Sequence, residues 1–237
     1  GCCGHQGARS RSDGLSEGPA RGVISRRDWL GRLGSGVAAL GLGGLSGEAI
    51  AGAQVEEPLV DSVRTALSSA VANSAPPVPE FSDTDGRLTY LRWLGAMSSR
   101  LRQRKPEWQE RKEFLQTVWY ESKRAGLETS LVLGLIQVES GFRKFVVSSA
   151  GARGYMQVMP FWTRVIGDGD ASKLFHMQTN LRFGCVILRH YLDREKGDLF
   201  MALGRYNGSR GKAAYPDAVL ASRRAWEYTD PSAVAPR

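Results

Sequence analysis

Cysteine is scarce in this chain: three in 237 residues, two of them adjacent at Cys2 and Cys3. That arithmetic excludes a conventional disulfide framework. The third, Cys185, stands among Phe183, Val186, Ile187 and Leu188 and reads as a small buried hydrophobe. Long apolar runs are missing too, since none approaches the roughly 20 residues needed to cross a bilayer. Histidine is equally rare, and His176 and His190 have no ligand-like spacing with cysteine or carboxylate, so no metal site is expected. Alternating strand patterns are few, and no segment repeats. What remains is ordinary for a globular protein, 42% hydrophobic and 24% charged residues, which excludes collagen-like, coiled-coil and wholly disordered chains.

Charge is the first positive signal. The net charge is +8 and the isoelectric point about 9.7, which favours an acidic partner. Peptidoglycan, anionic lipid and nucleic acid all qualify on that ground. Residues 25–30 read Ser-Arg-Arg-Asp-Trp-Leu, resembling a twin-arginine export motif. A weakly apolar, glycine-rich stretch from Leu33 to Leu45 and the small-residue site Ala51-Gly52-Ala53 follow in the order of a signal peptide. Residues 1–53 are therefore expected to be a disordered leader with a twin-arginine-type signal. Their removal takes away six arginines and four acids and leaves a net charge of +6. The expected location is periplasmic or exported, without stable membrane insertion after cleavage.

The rest of the chain is expected to be mainly α. Residues 54–86 combine a short amphipathic helix over 59–72 with a linker containing Pro76, Pro77 and Pro79. Residues 87–111 form a helical extension whose stripe is Leu88, Leu91, Leu94, Met97 and Leu101. Pro106 suits the first position of the next helix, which carries Phe114, Val118 and Trp119 to about Gly126. Glu128-Thr129-Ser130 offers caps for another. Residues 131–138 are apolar nearly all round and mark a buried helix. A loop of about 18 residues leads to a helix begun by Pro160. A long helix near 178–194 is capped by Thr179-Asn180, and helices over 198–206 and 214–227 follow. The tail from Tyr228, including 229–237, is expected to fray.

Glu139 breaks this pattern. At helical spacing it shares a stripe with Val132, Leu135 and Ile136, the apolar side of the most hydrophobic helix. Burial of an ionised carboxylate is costly and raises its pKa. A carboxyl that stays protonated near neutral pH can act as a general acid. A buried glutamate satisfied by Arg143 or Arg153 is an equal reading from periodicity alone.

Further residues weigh on that choice. Glu139-Ser140-Gly141-Phe142 is followed by Ser148, then by Gly151-Ala152-Arg153-Gly154-Tyr155-Met156-Gln157-Val158-Met159-Pro160, and later by Arg205-Tyr206-Asn207-Gly208. In these three motifs, over roughly 112–228, the chain resembles the soluble lytic transglycosylase (SLT) family, whose fold is like that of goose-type lysozymes. The resemblance implies a catalytic domain at 112–228 with Glu139 as the single catalytic acid/base. Tyr206 would hydrogen-bond Glu139 and set its position, with Asn207 beside it. Ser140 belongs to the glutamate motif, Ser148 would contact the reacting sugar, and Met156 and Gln157 would line the glycan groove. Two positions depart from the family pattern: Tyr155 stands where leucine is usual, and Arg205 where alanine is. No metal or cofactor is implied.

Most glycosidases place two carboxylates about 5–5.5 Å or roughly 6.5–9.5 Å apart, and the matched motifs hold one acid only. In the family resembled, the glutamate first protonates the glycosidic oxygen between N-acetylmuramic acid (MurNAc) and N-acetylglucosamine (GlcNAc). It then deprotonates the muramyl C6 hydroxyl, leaving a 1,6-anhydromuramyl end. The implied partner is the peptidoglycan glycan strand, with a cell-envelope assembly partner as a further option and nucleic acid set aside. Two alternatives remain. One is a hydrolytic muramidase using Asp168, Asp170 or Asp193 as second acid; the other is a non-catalytic wall-binding module.

Overall fold

The hydrophobic patterning folds into helices throughout the residues described by the computed structural model, 54–72 and 78–231. These are α1 (Asp61–Ala72), α2 (Thr84–Leu101), α3 (Trp108–Arg124), α4 (Thr129–Ser140), α5 (Phe161–Ile166), α6 (Met177–Arg194), α7 (Leu199–Asn207) and α8 (Ala214–Arg224), with a 3-10 turn at Ala171–Phe175. All the described residues fall within the unit Ser46–Arg237. The expected export signal in 1–53, residues 73–77 of the expected linker and residues 232–237 of the tail lie outside the described residues. No helix among the described residues is long and apolar enough to cross a membrane.

The apolar helix α4 lies inside. Leu131 to Ile136, Glu139 and Ser140 are all buried. α4 packs on α3 and most extensively on α8. The α8 contact is close because position 134 has no side chain: a Cβ at Gly134 would lie 2.7 Å from the Arg223 backbone nitrogen. α6 packs on α1, α3 and α7, and α7 on α8. One buried charge is met by its opposite. Glu121 of α3 and Arg182 of α6 meet at 2.8 Å with both side chains buried, as a buried ion must if it is not to be prohibitively costly.

α2 turns a different face inward from the one its leucines predict. Tyr90, Trp93, Leu94, Met97 and Leu101 are buried, while Leu88 and Leu91 are exposed. The larger aromatic surfaces decide the rotation: Tyr90 and Trp93 pack on Trp119 of α3 at ring-centroid distances of 5.1 and 4.7 Å. The extension thus shares the core of the helices that follow. α3 begins at Trp108 rather than at Pro106. The carbonyls of Lys105 and Pro106 are held by the Arg111 guanidinium at 2.5 and 2.8 Å, and Arg111 Nε reaches Ser98 at 2.7 Å.

Two chain segments are tied down from outside. Residues 54–60 run as a strap over α5, α6 and α7. Trp162 Nε1 donates to Gln54 Oε1 at 2.9 Å, Glu56 pairs with Arg164 at 3.5 Å, and Glu57 pairs with Arg194 and Arg205 at 2.6 and 2.8 Å. Near the other end of the described residues the chain is held by side chains of α2. Arg100 donates to the carbonyls of Ala225 and Glu227 at 3.0 and 2.8 Å, and Asp230 pairs with Arg92 at 3.3 Å.

Candidate active site

Glu139 occupies the last turn of α4 and is 4% exposed. Neither arginine offered by the sequence satisfies it. Arg143 Nε donates to the Ser140 carbonyl at 2.9 Å, and Arg153 to the Ala171 carbonyl, also at 2.9 Å. The partner is Tyr215, at the start of α8, whose hydroxyl donates to Glu139 Oε1 at 2.5 Å. Burial pushes the Glu139 carboxyl up to about 8, and the Tyr215 hydrogen bond draws it part of the way back. The negative end of the α4 dipole acts in the same direction as burial. At neutral pH this carboxyl therefore holds its proton.

Tyr206 does not make the hydrogen bond expected of it. Its hydroxyl donates to the Met156 carbonyl at 2.8 Å. It is nonetheless close enough for the Glu139 charge to oppose its ionisation, as that charge also opposes the ionisation of Tyr215. Glu139, Tyr206 and Tyr215 thus form one buried cluster in which Tyr215 holds the carboxyl and Tyr206 holds the loop. Gln54 of the strap lies within polar reach of the Tyr206 hydroxyl.

The loop between α4 and α5 is folded tightly rather than open. Arg153 pairs in antiparallel bridges with both Val147 and Val158. Asn180 clamps it: its Oδ1 accepts from Met156 N at 2.8 Å, and its Nδ2 donates to the carbonyls of Arg153 and Leu174, each at 2.8 Å. Asn180 is therefore not the cap read from the sequence. α6 starts at Met177, one turn earlier, and the amide leaves the helix to serve the loop. Gly154 is required beside it, because its φ is +76° and a Cβ would lie 2.4 Å from Asn180 Nδ2. Gln157 and Phe142 also hold positive φ, +46° and +67°, a conformation non-glycine residues rarely adopt without a compensating need.

The remaining expected residues divide. Met156 is fully buried, packed where a Cβ on Gly184 would collide with it, so its side chain is core and only its backbone serves the site. Ser140 is buried and donates to the Ile136 carbonyl of its own helix at 3.1 Å. Ser148 is half-buried, and its Oγ accepts from Ala152 N at 3.0 Å, which leaves its hydroxyl hydrogen free to donate. Gln157 Nε2 donates to the carbonyls of Val146 and Gly154 at 3.1 and 2.8 Å, and Asn207 Nδ2 to Ser209 Oγ at 2.9 Å. Their carbonyl oxygens, Gln157 Oε1 and Asn207 Oδ1, are buried acceptors without a partner among the described residues. Buried acceptors of this kind call for a donor.

The sequence reading missed Tyr215, Asn180 and Lys105. Lys105 Nζ donates to the Tyr155 hydroxyl at 2.9 Å and to Glu110 at 2.6 Å. Tyr155, which stands where leucine was expected, is thereby explained by a lysine outside the motif. Arg205, the other departure, pairs with Glu57 and Glu195. The offered second acids are engaged elsewhere: Asp168 with Lys173, Asp170 with Ser172, and Asp193 with Arg189.

Residues 116–223 match the family model of the transglycosylase SLT domain. A transglycosylase of Enterobacteria phage PRD1 is 31% identical over 115 residues, 46% of this chain and 42% of that protein. Membrane-bound lytic murein transglycosylase C of Actinobacillus pleuropneumoniae serotype 5b (strain L20) is 36% identical over 85 residues, 32% of this chain and 23% of that one. The chain thus spans less than half the length of these relatives. Among solved structures, an inactive mutant of the lytic transglycosylase Slt from Pseudomonas aeruginosa aligns with a TM-score of 0.38 and 22% identity, covering 59% of this chain and 27% of that one.

Proposed function

Residues 116–223 form an SLT-family domain, and from that premise we propose that this protein is a peptidoglycan lytic transglycosylase. It cleaves the MurNAc-GlcNAc β-1,4 bond with Glu139 as its single acid/base and leaves 1,6-anhydroMurNAc ends. The observation that carries this reading is the buried Glu139 carboxyl, raised to about 8 and held by one phenol. Such a carboxyl is protonated at neutral pH and can deliver its proton to a glycosidic oxygen. As the bond breaks, negative charge develops on Glu139, and the Tyr215 hydroxyl donates to it. The carboxylate so formed then takes the proton of the muramyl C6 hydroxyl, whose oxygen closes on C1. Glu139 regains its proton, and no water is consumed.

Ser148 supplies a free donor, and Gln157 Oε1 and Asn207 Oδ1 supply acceptors for sugar hydroxyl or N-acetyl groups. Asp168, Asp170 and Asp193 pair with their own neighbours, which favours the single-acid mechanism over a hydrolytic muramidase. The substrate places the enzyme at the cell envelope. The test is digestion of purified sacculi, with products read by mass spectrometry. Products lighter by one water than the hydrolytic ones, absent for Glu139→Gln, are expected. Reducing muramyl ends would make the protein a muramidase, and intact sacculi that retain it would make it a binding module.

A further inference from the structure

The residue that departs from the SLT pattern at position 205 leads outside the matched segment 116–223. Arg205 pairs with Glu57 at 2.8 Å, and Tyr206 beside it meets Gln54. Two consecutive residues of α7 are thus bound by the strap at 54–60. Gln54 is 5% exposed, and its orientation is fixed by chemistry. The Trp162 indole N–H can only donate, and it donates to Gln54 Oε1 at 2.9 Å. The amide nitrogen is therefore the group turned to Tyr206. As a donor to the phenol oxygen it opposes the upward push that burial gives Tyr206. The Tyr206 hydrogen then goes to the Met156 carbonyl at 2.8 Å. That carbonyl belongs to the peptide unit joining Met156 to Gln157, and Gln157 holds a φ of +46°, costly for a residue with a side chain. Gln157 N is tied to the Gly154 carbonyl at 3.2 Å. Tyr206 and Gly154 thus grip one peptide unit by its two polar ends.

The strap is latched along its length, by Glu56 on Arg164 of α5 and by Glu57 on Arg194 of α6 and Arg205 of α7. We propose that the strap completes the glycan site, with Gln54 as a positioning residue that acts through Tyr206 on the Met156–Gln157 turn, and with Glu56 and Glu57 as its latch. The inference rests on the proposed function, because that reading assigns the turn to sugar binding. Glu139 is held separately, by Tyr215. The strap therefore governs how substrate is held and leaves the acid alone.

The test measures release of anhydro ends from soluble peptidoglycan strands by the full chain. Gln54→Met keeps the shape of the side chain and removes both polar groups. KM should rise about fivefold to tenfold, the weight of one neutral hydrogen bond, while kcat and the alkaline limb near 8 stay in place. Tyr206→Phe should raise KM in the same way. Adding Gln54→Met to it should do nothing more, because a residue that acts through another has no effect once that other is removed. Gln54→Glu supplies the rescue. Protonated, it accepts from Trp162 and donates to Tyr206 as the amide does. Ionised, it can only accept, and it draws the Tyr206 hydrogen away from the Met156 carbonyl. Its KM should match that of the wild type at acid pH and rise above it as the carboxylate forms. An unchanged KM for Gln54→Met, a rise repeated in full on Tyr206→Phe, or a fall in kcat that merely follows loss of folded protein overturns the proposal. If the wild type releases no anhydro ends, the proposed function falls instead. The same variants are then read by affinity for sacculi, which the proposal requires Gln54→Met to weaken.

Discussion

Replacing Tyr215 by phenylalanine removes one hydroxyl and almost no volume. The lost interaction is the 2.5 Å donation to Glu139 Oε1. A hydrogen bond to a charged acceptor contributes about 1.5–3 kcal/mol, and 1.36 kcal/mol corresponds to one pH unit. The bond favours the ionised carboxylate, so its loss moves the Glu139 carboxyl upward from about 8. The alkaline limb of the pH–rate profile, which reports the loss of the acid's proton, should therefore move up by about 1–2 pH units. At pH 7 the rate should fall about tenfold, because the charge developing on Glu139 loses its donor. Initial rates of sacculus digestion from pH 5 to 10.5 supply the assay. Tyr206→Phe is the control: it loses a bond to the Met156 carbonyl and should leave the limb in place. A Tyr215→Phe limb that stays near 8, or moves down, would refute the reasoning.

Three further outcomes are expected. Glu139→Gln should unfold like the wild type below pH 4.5 and become progressively the more stable protein as pH rises through about 8. The wild-type carboxyl, raised from 4.5, favours folding only while protonated, and the gap approaches about 5 kcal/mol at most; denaturant titrations at pH 4 and pH 9 read it. Gly134→Ala places a Cβ 2.7 Å from the Arg223 backbone, so it should cost about 1–3 kcal/mol and lower Tm by several degrees, with activity falling as Tyr215 is carried away from Glu139. An unchanged Tm there would show that α4 and α8 have slack. Asn180→Ala leaves three backbone groups without their partner, two in the loop and one in the 3-10 turn, and should cost on the order of 2–4 kcal/mol, with amide exchange accelerated over 153–158 ahead of the rest of the molecule.

Glu139 was legible because a charged residue on an all-apolar helix is a one-dimensional anomaly. Its partner was not. Tyr215 lies 76 residues away, and no periodicity joins the end of α4 to the start of α8; the absent side chain at Gly134 brings them together. Asn180 was misread because asparagine near a helix start is a good cap by propensity, and the actual start lay three residues earlier. The leucine spacing of α2 misled because it counts residues, whereas packing counts area, and Tyr90 and Trp93 bring more of it. Tyr155 and Arg205 looked like departures within their motifs. Tyr155 is explained by Lys105, outside the SLT match, and Arg205 by Glu57, also outside it, together with Glu195 within it.

The strap at 54–60 also sets an order of assembly. Gln54 meets Trp162 across 108 positions, and Glu57 meets Arg205 across 148. Contacts this distant in sequence come late, since the intervening loop must close before they return any free energy. On a chain emerging from the ribosome, the strap is made long before α7 exists to receive it. It must wait until Arg205 has been synthesised. The helices can assemble locally, α2 on α3 and α6 on α7, whereas the strap joins positions up to 148 residues apart and is the last seam to close.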